Sequence, residues 1–274
     1  MQLKFLADEP IQDTIGDFLG LRDFSELVYH SVKNTETPFV YGILGDWGTG
    51  KTSILNLLKN CLEKDLQSGE TSVIPIWFNA WQYENQENII YPLLYAIKND
   101  YERRIKVMDK AHGFGKNFLQ VAATSALALT DIGLRTATKA LTGEAVKLDE
   151  VKQYFDLFRD PPSQWETLYR NWADSVANLH MAFEQLLQTY AADYANEHKN
   201  HKVENIKFAI LIDDLDRCLP DNTIALLESI KNFLTVKGCI FIFGLNANVV
   251  YQGIRQKYQG LQVDGREYLE KILN

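Results

Sequence analysis

Eight residues, "GDWGTGKT" from Gly45 to Thr52, constrain this chain more than any other stretch. Before them stands "PFVYGIL" (Pro38–Leu44), a short apolar run rich in β-branched and aromatic residues that predicts a buried strand. After them "TSILNLLKNCLEK" carries apolar residues at 54, 55, 57, 58 and 62, which predicts a helix packed on a sheet. The octet therefore matches G-x-x-x-x-G-K-[ST] in the context that gives the pattern meaning, between a strand and a helix. Phosphates need many N–H donors in a small volume, and glycines at 45, 48 and 50 let the backbone curl until successive N–H groups converge. The helix N-terminus adds free amides and the positive end of its dipole. The segment expected to hold phosphate is Gly45, Asp46, Trp47, Gly48, Thr49, Gly50, Lys51, Thr52 and Ser53. Lys51 should reach the β- and γ-phosphates, and Thr52 should place its hydroxyl on Mg²⁺.

Such a loop needs an acidic partner for the metal. "FAILIDDLDR" (Phe208–Arg217) runs five apolar residues into Asp213 and Asp214, at the C-terminal end of a predicted strand where ligands gather in open α/β sheets. Asp213 is the expected metal residue, and Asp214 the group that orients and activates an attacking water. Paired acids after a strand also begin turns or cap helices, but the next helix, "PDNTIALLESIKNFL", starts only at about Asp221 or Asn222. Two further strands end on asparagine: "SVIPIWFNAW" near Asn79 and "GCIFIFGLN" at Asn246. Asn246 is placed to sense a γ-phosphate, and Asn79 to hold the Asp214 carboxylate in an off position; each also reads as a plain loop residue. Arg217 is either an arginine finger for a neighbouring subunit or a partner of Asp214 or Asp216 that shapes the loop.

Composition narrows the classes. A 46% hydrophobic, 23% charged chain of 274 residues can build a packed core. A net charge of −8 gives no bulk attraction to nucleic acid or anionic lipid, so nucleic acid is a possible but unsupported partner. Cys61, Cys218 and Cys239 show no metal spacing and suit a reducing compartment, and "MQLKFLADEP" has no secretory core, so a cytoplasmic location is expected. The most apolar segment, "FLQVAATSALALTDIGL" (Phe118–Leu134), is broken by Gln120 and Asp131 and reads as a buried helix rather than a membrane span.

"LADEPIQDTIGDFLGL", "GILGDWGTGKTS", "WFNAWQYEN", "ILIDDLDRCLPD" and "YLEKIL" occur in the order found in KAP-family P-loop NTPases, which the chain resembles over about residues 7–98 and 203–273. The resemblance implies an ATPase using ATP and Mg²⁺, related to the AAA+ and STAND ATPases. It implies an α/β fold with a parallel sheet of additional-strand order 5-1-4-3-2 and a large helical insertion between the two motifs. It also implies a role as a regulated switch or assembly rather than a metabolic enzyme; a homo-oligomer and, for a scaffold, an effector protein are the expected partners. Bacterial members are often linked to phage exclusion. On this basis residues 1–92 and 204–274 form the NTPase core and 93–203 the insertion. The insertion has helical patterning in "IIYPLLYAIKNDYERRIKVM" and in "TLYRNWADSVANLHMAFEQLLQTYAADYANEHK", with a break at "DPPSQW". Pro10, Ile11, Phe18 and Leu19 would cover the base, unless they only pack an N-terminal helix. The chain stops where relatives continue into a lid, so a sensor arginine would come from elsewhere; Lys271 reads as a surface lysine.

Weaker signals remain. His198 and His201 are three apart with no third ligand nearby, and Tyr101–Lys116 carries five Lys/Arg against two acids, most simply a solvated helix face. Trp77, Asn79 and Trp81 would share one face of a continued strand, by default in the core. No [NT]KxD guanine-reading motif occurs. The alternatives to a hydrolysing switch are a nucleotide-binding scaffold with negligible turnover and, more remotely, a phosphotransferase.

Overall fold

The computed structural model describes residues 20–84, 89–105, 165–231, 236–258 and 264–273. Pro10, Ile11, Phe18, Leu19, the Phe118–Leu134 segment and most of the basic Tyr101–Lys116 stretch lie outside these residues. The chain divides into two compact units, Met1–Gln82 with Asn200–Thr223 and Gly238–Asn274, and Tyr83–Lys199 with Ile224–Lys237.

The first unit is built on four parallel strands: β1 (Phe39–Leu44), β2 (Val73–Asn79), β3 (Lys207–Asp213) and β4 (Cys239–Leu245). Their order is β1-β4-β3-β2. A fifth strand is not among the described residues. The strands are near-continuous apolar runs because both faces of a parallel sheet are covered. On one face, Ile43, Val73, Ala209, Leu211, Ile240 and Ile242 pack with Ile54, Leu55, Leu58 and Leu62 of α2 (Lys51–Ser68) and with Tyr29 and Val32 of α1 (Leu21–Asn34). The α2 residues recur at three- and four-residue spacing, the stripe a helix needs to lie on a sheet. The Tyr29 hydroxyl donates to Asp65, joining the two helices. On the other face, Phe208, Ile210, Ile212, Phe241 and Phe243 are also buried. Two helices follow β4: α6 (Ala247–Lys257) and α7 (Gly265–Ile272). Gly265 has no side chain because the backbone of Tyr251 passes close by, Cα being 3.0 Å from where a Cβ would sit. Lys271 is exposed on α7.

The second unit is helical in its described parts. Leu93, Leu94, Ile97 and Tyr101 of α3 (Ile90–Arg104) are buried, as are Phe183, Leu186, Leu187 and Tyr190 of α4 (Trp165–Glu197). The Tyr101 and Tyr190 rings meet edge-on at 5.1 Å. Each hydroxyl finds a carboxylate: Tyr101 donates to Asp193 at 2.7 Å, and Tyr190 to Asp100 at 2.8 Å. Asp100 is further neutralised by Arg103 and, at 2.8 Å, by Arg104. A polar seam between buried helix faces is tolerable only when satisfied in this way. The helix α5 (Pro220–Ser229) spans the division between the units. Among the described residues no helix is long and apolar enough to cross a membrane.

Leu211 is fully buried at the middle of β3, with strands on both sides. Leu211→Ala should lower the unfolding free energy by about 2–5 kcal/mol, read from urea denaturation.

Candidate functional site

Because the strands are parallel, Leu44, Asn79, Asp213 and Leu245 all end at one edge of the sheet. The phosphate loop leaves β1 at that edge. Gly45 N–H is bonded to the Leu245 carbonyl at 3.3 Å, which ties the start of the loop to the end of β4. Thr49 closes the curl on the Asp46 carbonyl through its N–H at 3.3 Å and its hydroxyl at 2.7 Å. Gly50 takes φ +87° immediately before α2, and a Cβ there would lie 2.6 Å from Leu21 Cδ1. Only glycine meets both demands at low cost. Lys51 begins α2, and its ammonium donates to the carbonyls of Gly45 at 2.9 Å and Asp46 at 3.0 Å. Its charge is thereby held over the curl. Ser53 is buried in the first turn, whereas the Trp47 ring stands 64% exposed.

Asp213 ends β3 with a buried side chain, and Thr52 hydrogen-bonds to it across the sheet edge. Burial first, and then the charge of Asp214, push its carboxyl up to about 6; the Thr52 bond, a backbone bond at Asp214 and Arg217 pull the other way. Its Oδ2 is buried and has no hydrogen-bond partner among the described residues. A buried carboxylate oxygen in that state is costly unless a cation meets it. The donor set, one carboxylate and one hydroxyl beside a phosphate cradle, suits Mg²⁺, which takes few protein ligands and completes its shell with phosphate and water. Among the described residues no cluster of three or more His, Cys, Asp or Glu forms a self-sufficient metal cage. Two histidines of the sequence turn elsewhere: His198 stacks on Tyr194 at 4.2 Å, and His201 Nδ1 meets Ser72 Oγ at 3.1 Å.

Asp214 occupies the left-handed region at φ 55°, unusual for a residue with a side chain. Both carboxylate oxygens are engaged. Asn79 Nδ2 donates to Oδ2 at 3.1 Å, and Arg217 Nε to Oδ1 at 2.7 Å. Arg217 is thus engaged within its own chain, and its guanidinium lies 5.2 Å from the Trp81 ring centre. Trp81 does not share a face with Trp77: β2 ends at Asn79, the chain enters a short 3₁₀ turn, and the alternation stops there. Trp77 packs on the core instead. Asn246 caps α6, accepting the Asn248 N–H at 3.0 Å, while its Nδ2 donates to Asp46 Oδ1 at 3.2 Å.

Two residues in this arrangement have roles at the site that their sequence surroundings do not announce. Gly244 sits one residue before the end of β4. A Cβ there would lie 2.9 Å from Leu55 Cδ1, 3.3 Å from Asp213 Oδ1 and 3.6 Å from Lys51 Cβ. A lone glycine inside an apolar strand is the available signal for such a close approach. Asp216 is also buried, and its Oδ2 accepts the Asn246 N–H at 2.9 Å and the Trp47 indole N–H at 3.2 Å. In sequence it reads as one more acid in a turn.

A family model described as the KAP family P-loop domain matches residues 21–274. The chain is 26% identical over 174 residues to an uncharacterized protein of Methanocaldococcus jannaschii, covering 59% of this chain and 84% of that one. It is 23% identical over 273 residues to the phage T7 exclusion protein of Escherichia coli, covering 97% of this chain but 34% of the relative, so it spans about a third of that protein's length. Among solved structures it is similar to the Aeropyrum pernix ORC2 protein, whose structure contains ADPNP-ADP complexes. There the TM-score is 0.40 at 13% identity, over 98% of this chain and 49% of the other.

Gly244→Val should weaken binding of a non-hydrolysable ATP analogue with Mg²⁺ by about tenfold or more, because its branches press on Asp213 and Lys51. Gly244→Ala, which asks the Leu55 side chain to move and Asp213 Oδ1 to give by only a few tenths of an ångström, should stay within about threefold of wild type. Titration calorimetry separates the two, and equal affinities for all three proteins would show the space is not needed.

Proposed function

The chain belongs to the KAP family of P-loop domains, and on that premise we propose that it binds ATP with Mg²⁺ and hydrolyses it as a regulated, oligomeric switch. The observation that carries this reading is the orphaned, buried Oδ2 of Asp213 beside Thr52 and the phosphate curl. Under it, Asp213 and Thr52 hold the metal, which when bound neutralises charge on the β- and γ-phosphates. The amides of Gly45–Ser53 take the phosphate oxygens, and Lys51 exchanges its two loop carbonyls for them. Asp214 orients the attacking water and receives its proton once one carboxylate oxygen is freed. Asn246, already at the rim through its contact with Asp46, faces the terminal phosphate. Arg217 either reaches a neighbouring subunit after leaving Asp214 or stays to shape the loop.

The fifth strand beyond β1, the cytoplasmic location, the effector protein and a role in phage exclusion belong to the same proposal. Likeness to a phage T7 exclusion protein supports the last of these. It is checked by comparing plaque counts on cells carrying the full protein and its Lys51→Ala form, with fewer plaques expected on the former.

A second reading is favoured by one observation: Asn79 and Arg217 together occupy both oxygens of Asp214. A site kept in that state retains ATP without turning it over and acts as a scaffold. Phosphate release decides between the two. For a hydrolase, Asp214→Asn should lose about a hundredfold in turnover while binding nucleotide within about threefold of wild type. Wild-type protein that retains ATP through purification and releases no phosphate, alone or with its partner, would establish the scaffold.

A further inference from the structure

A buried carboxylate that is not a metal residue needs a reason. Asp216 is 4% exposed, in a 3₁₀ turn, Leu215–Arg217, that the backbone closes without it: Arg217 N–H meets the Asp214 carbonyl at 3.2 Å, and Cys218 N–H meets that of Leu215 at 3.2 Å. Its side chain serves other elements. One oxygen, Oδ2, accepts the Trp47 indole N–H at 3.2 Å from the phosphate loop and the Asn246 N–H at 2.9 Å from the end of β4. The same oxygen lies 3.9 Å from Lys51 Nζ at the start of α2. Three pieces of the site therefore converge on a single atom from a fourth.

We propose that Asp216 is the positioning residue that locks the outer limb of the phosphate loop to the end of β4, through the Trp47 indole on one side and the Asn246 backbone on the other. The inference rests on the nucleotide-binding reading above and gives a role to an acid that the G-x-x-x-x-G-K-[ST] pattern does not include. Trp47 makes the role legible. A tryptophan two-thirds exposed has little packing to hold it, so the bond to a buried, charged acceptor fixes the ring and with it the Asp46–Gly48 limb. Asn246 Nδ2 to Asp46 Oδ1, at 3.2 Å, is a second tie between the same two segments. With both in place the loop amides are aimed before phosphate arrives, and the ordering entropy is not charged against binding. The nearby Asp216 charge also biases the Lys51 ammonium toward the loop, so the lysine stays at the site when no phosphate is there to attract it.

The test uses Asp216→Ala, Asp216→Asn, Trp47→Phe and the Trp47→Phe/Asp216→Ala double variant. In nucleotide-free protein, the Trp47 indole N–H resonance, identified by its loss in Trp47→Phe, should move in Asp216→Ala and return toward its wild-type position in Asp216→Asn. The asparagine keeps one carbonyl oxygen that can accept the N–H bonds. With the non-hydrolysable ATP analogue and Mg²⁺, Asp216→Ala should bind about tenfold more weakly and Asp216→Asn within about threefold of wild type. Trp47→Phe should weaken binding on its own but add nothing to Asp216→Ala, the signature of two groups acting as one unit. An unmoved indole resonance, wild-type affinity in Asp216→Ala, or losses that simply add would overturn the proposal. Should Asp216→Ala fail to fold, Trp47→Phe decides it alone: it removes the indole N–H that Asp216 accepts, and wild-type affinity for the analogue in that variant would overturn the proposal. If wild-type protein binds no nucleotide, the nucleotide reading fails, while the indole resonance of the free protein still decides whether Asp216 holds the loop.

Discussion

The ladder that β3 makes with its neighbours is the constraint on which the rest depends. β3 pairs in parallel with β2 from Lys207 to Asp213 and with β4 from Phe208 to Ile212. Its residues from Phe208 to Ile212 are all buried, so packing on both faces fixes the register. A slip of one residue would turn Asp213 to the opposite face and carry it away from Thr52. The same ladder sets Asn79 opposite Asp213, which is why the amide at the end of β2 can reach the neighbouring Asp214.

Within that frame, three acids within a span of four residues live in different worlds. Asp213 is buried with an oxygen left over, and its proton affinity rises accordingly. Asp216 is also buried, but its Oδ2 takes two N–H donors. Asp214 is held at a left-handed backbone angle between an amide and a guanidinium. A non-glycine residue in that region marks a place where the surroundings overrule local preference, and such places gather at working sites. The division of labour among the acids follows from where each backbone bond points, because their side chains are chemically the same.

Much of the core was legible because its signals are local. An apolar run followed by a glycine-rich curl and a 3.6-residue stripe describes β1, the loop and the start of α2 to within a residue, while α2 itself runs on to Ser68. The strand ends at Asn79 and Asp213, and the end of β4 one residue before Asn246, follow from where apolar runs stop. Gly244 was not legible as a site residue: a glycine in a strand has many causes, and the atoms that need its space come from β3 and α2. Asp216 was hidden for a similar reason, since its donors lie 169 and 30 residues away. Arg217 had two readings in sequence, and its place beside Asp214 and Trp81 depends on a turn after β2 that alternation cannot foresee.

The sequence by itself determined that a phosphate loop, with Lys51 and Thr52 at its end, would sit between a strand and a helix and that an acidic strand end would accompany it. Those features are short-range, set by glycine conformational freedom, apolar periodicity and the spacing of a few side chains. Only the tertiary structure decided which oxygen of which aspartate is free. It placed Asn79 and Arg217 on Asp214, left Asp213 Oδ2 without a partner, and gathered Trp47, Lys51 and Asn246 around Asp216. Hydrogen-bond partners separated by many residues meet only after the parallel ladder has closed, and their geometry is a property of that ladder.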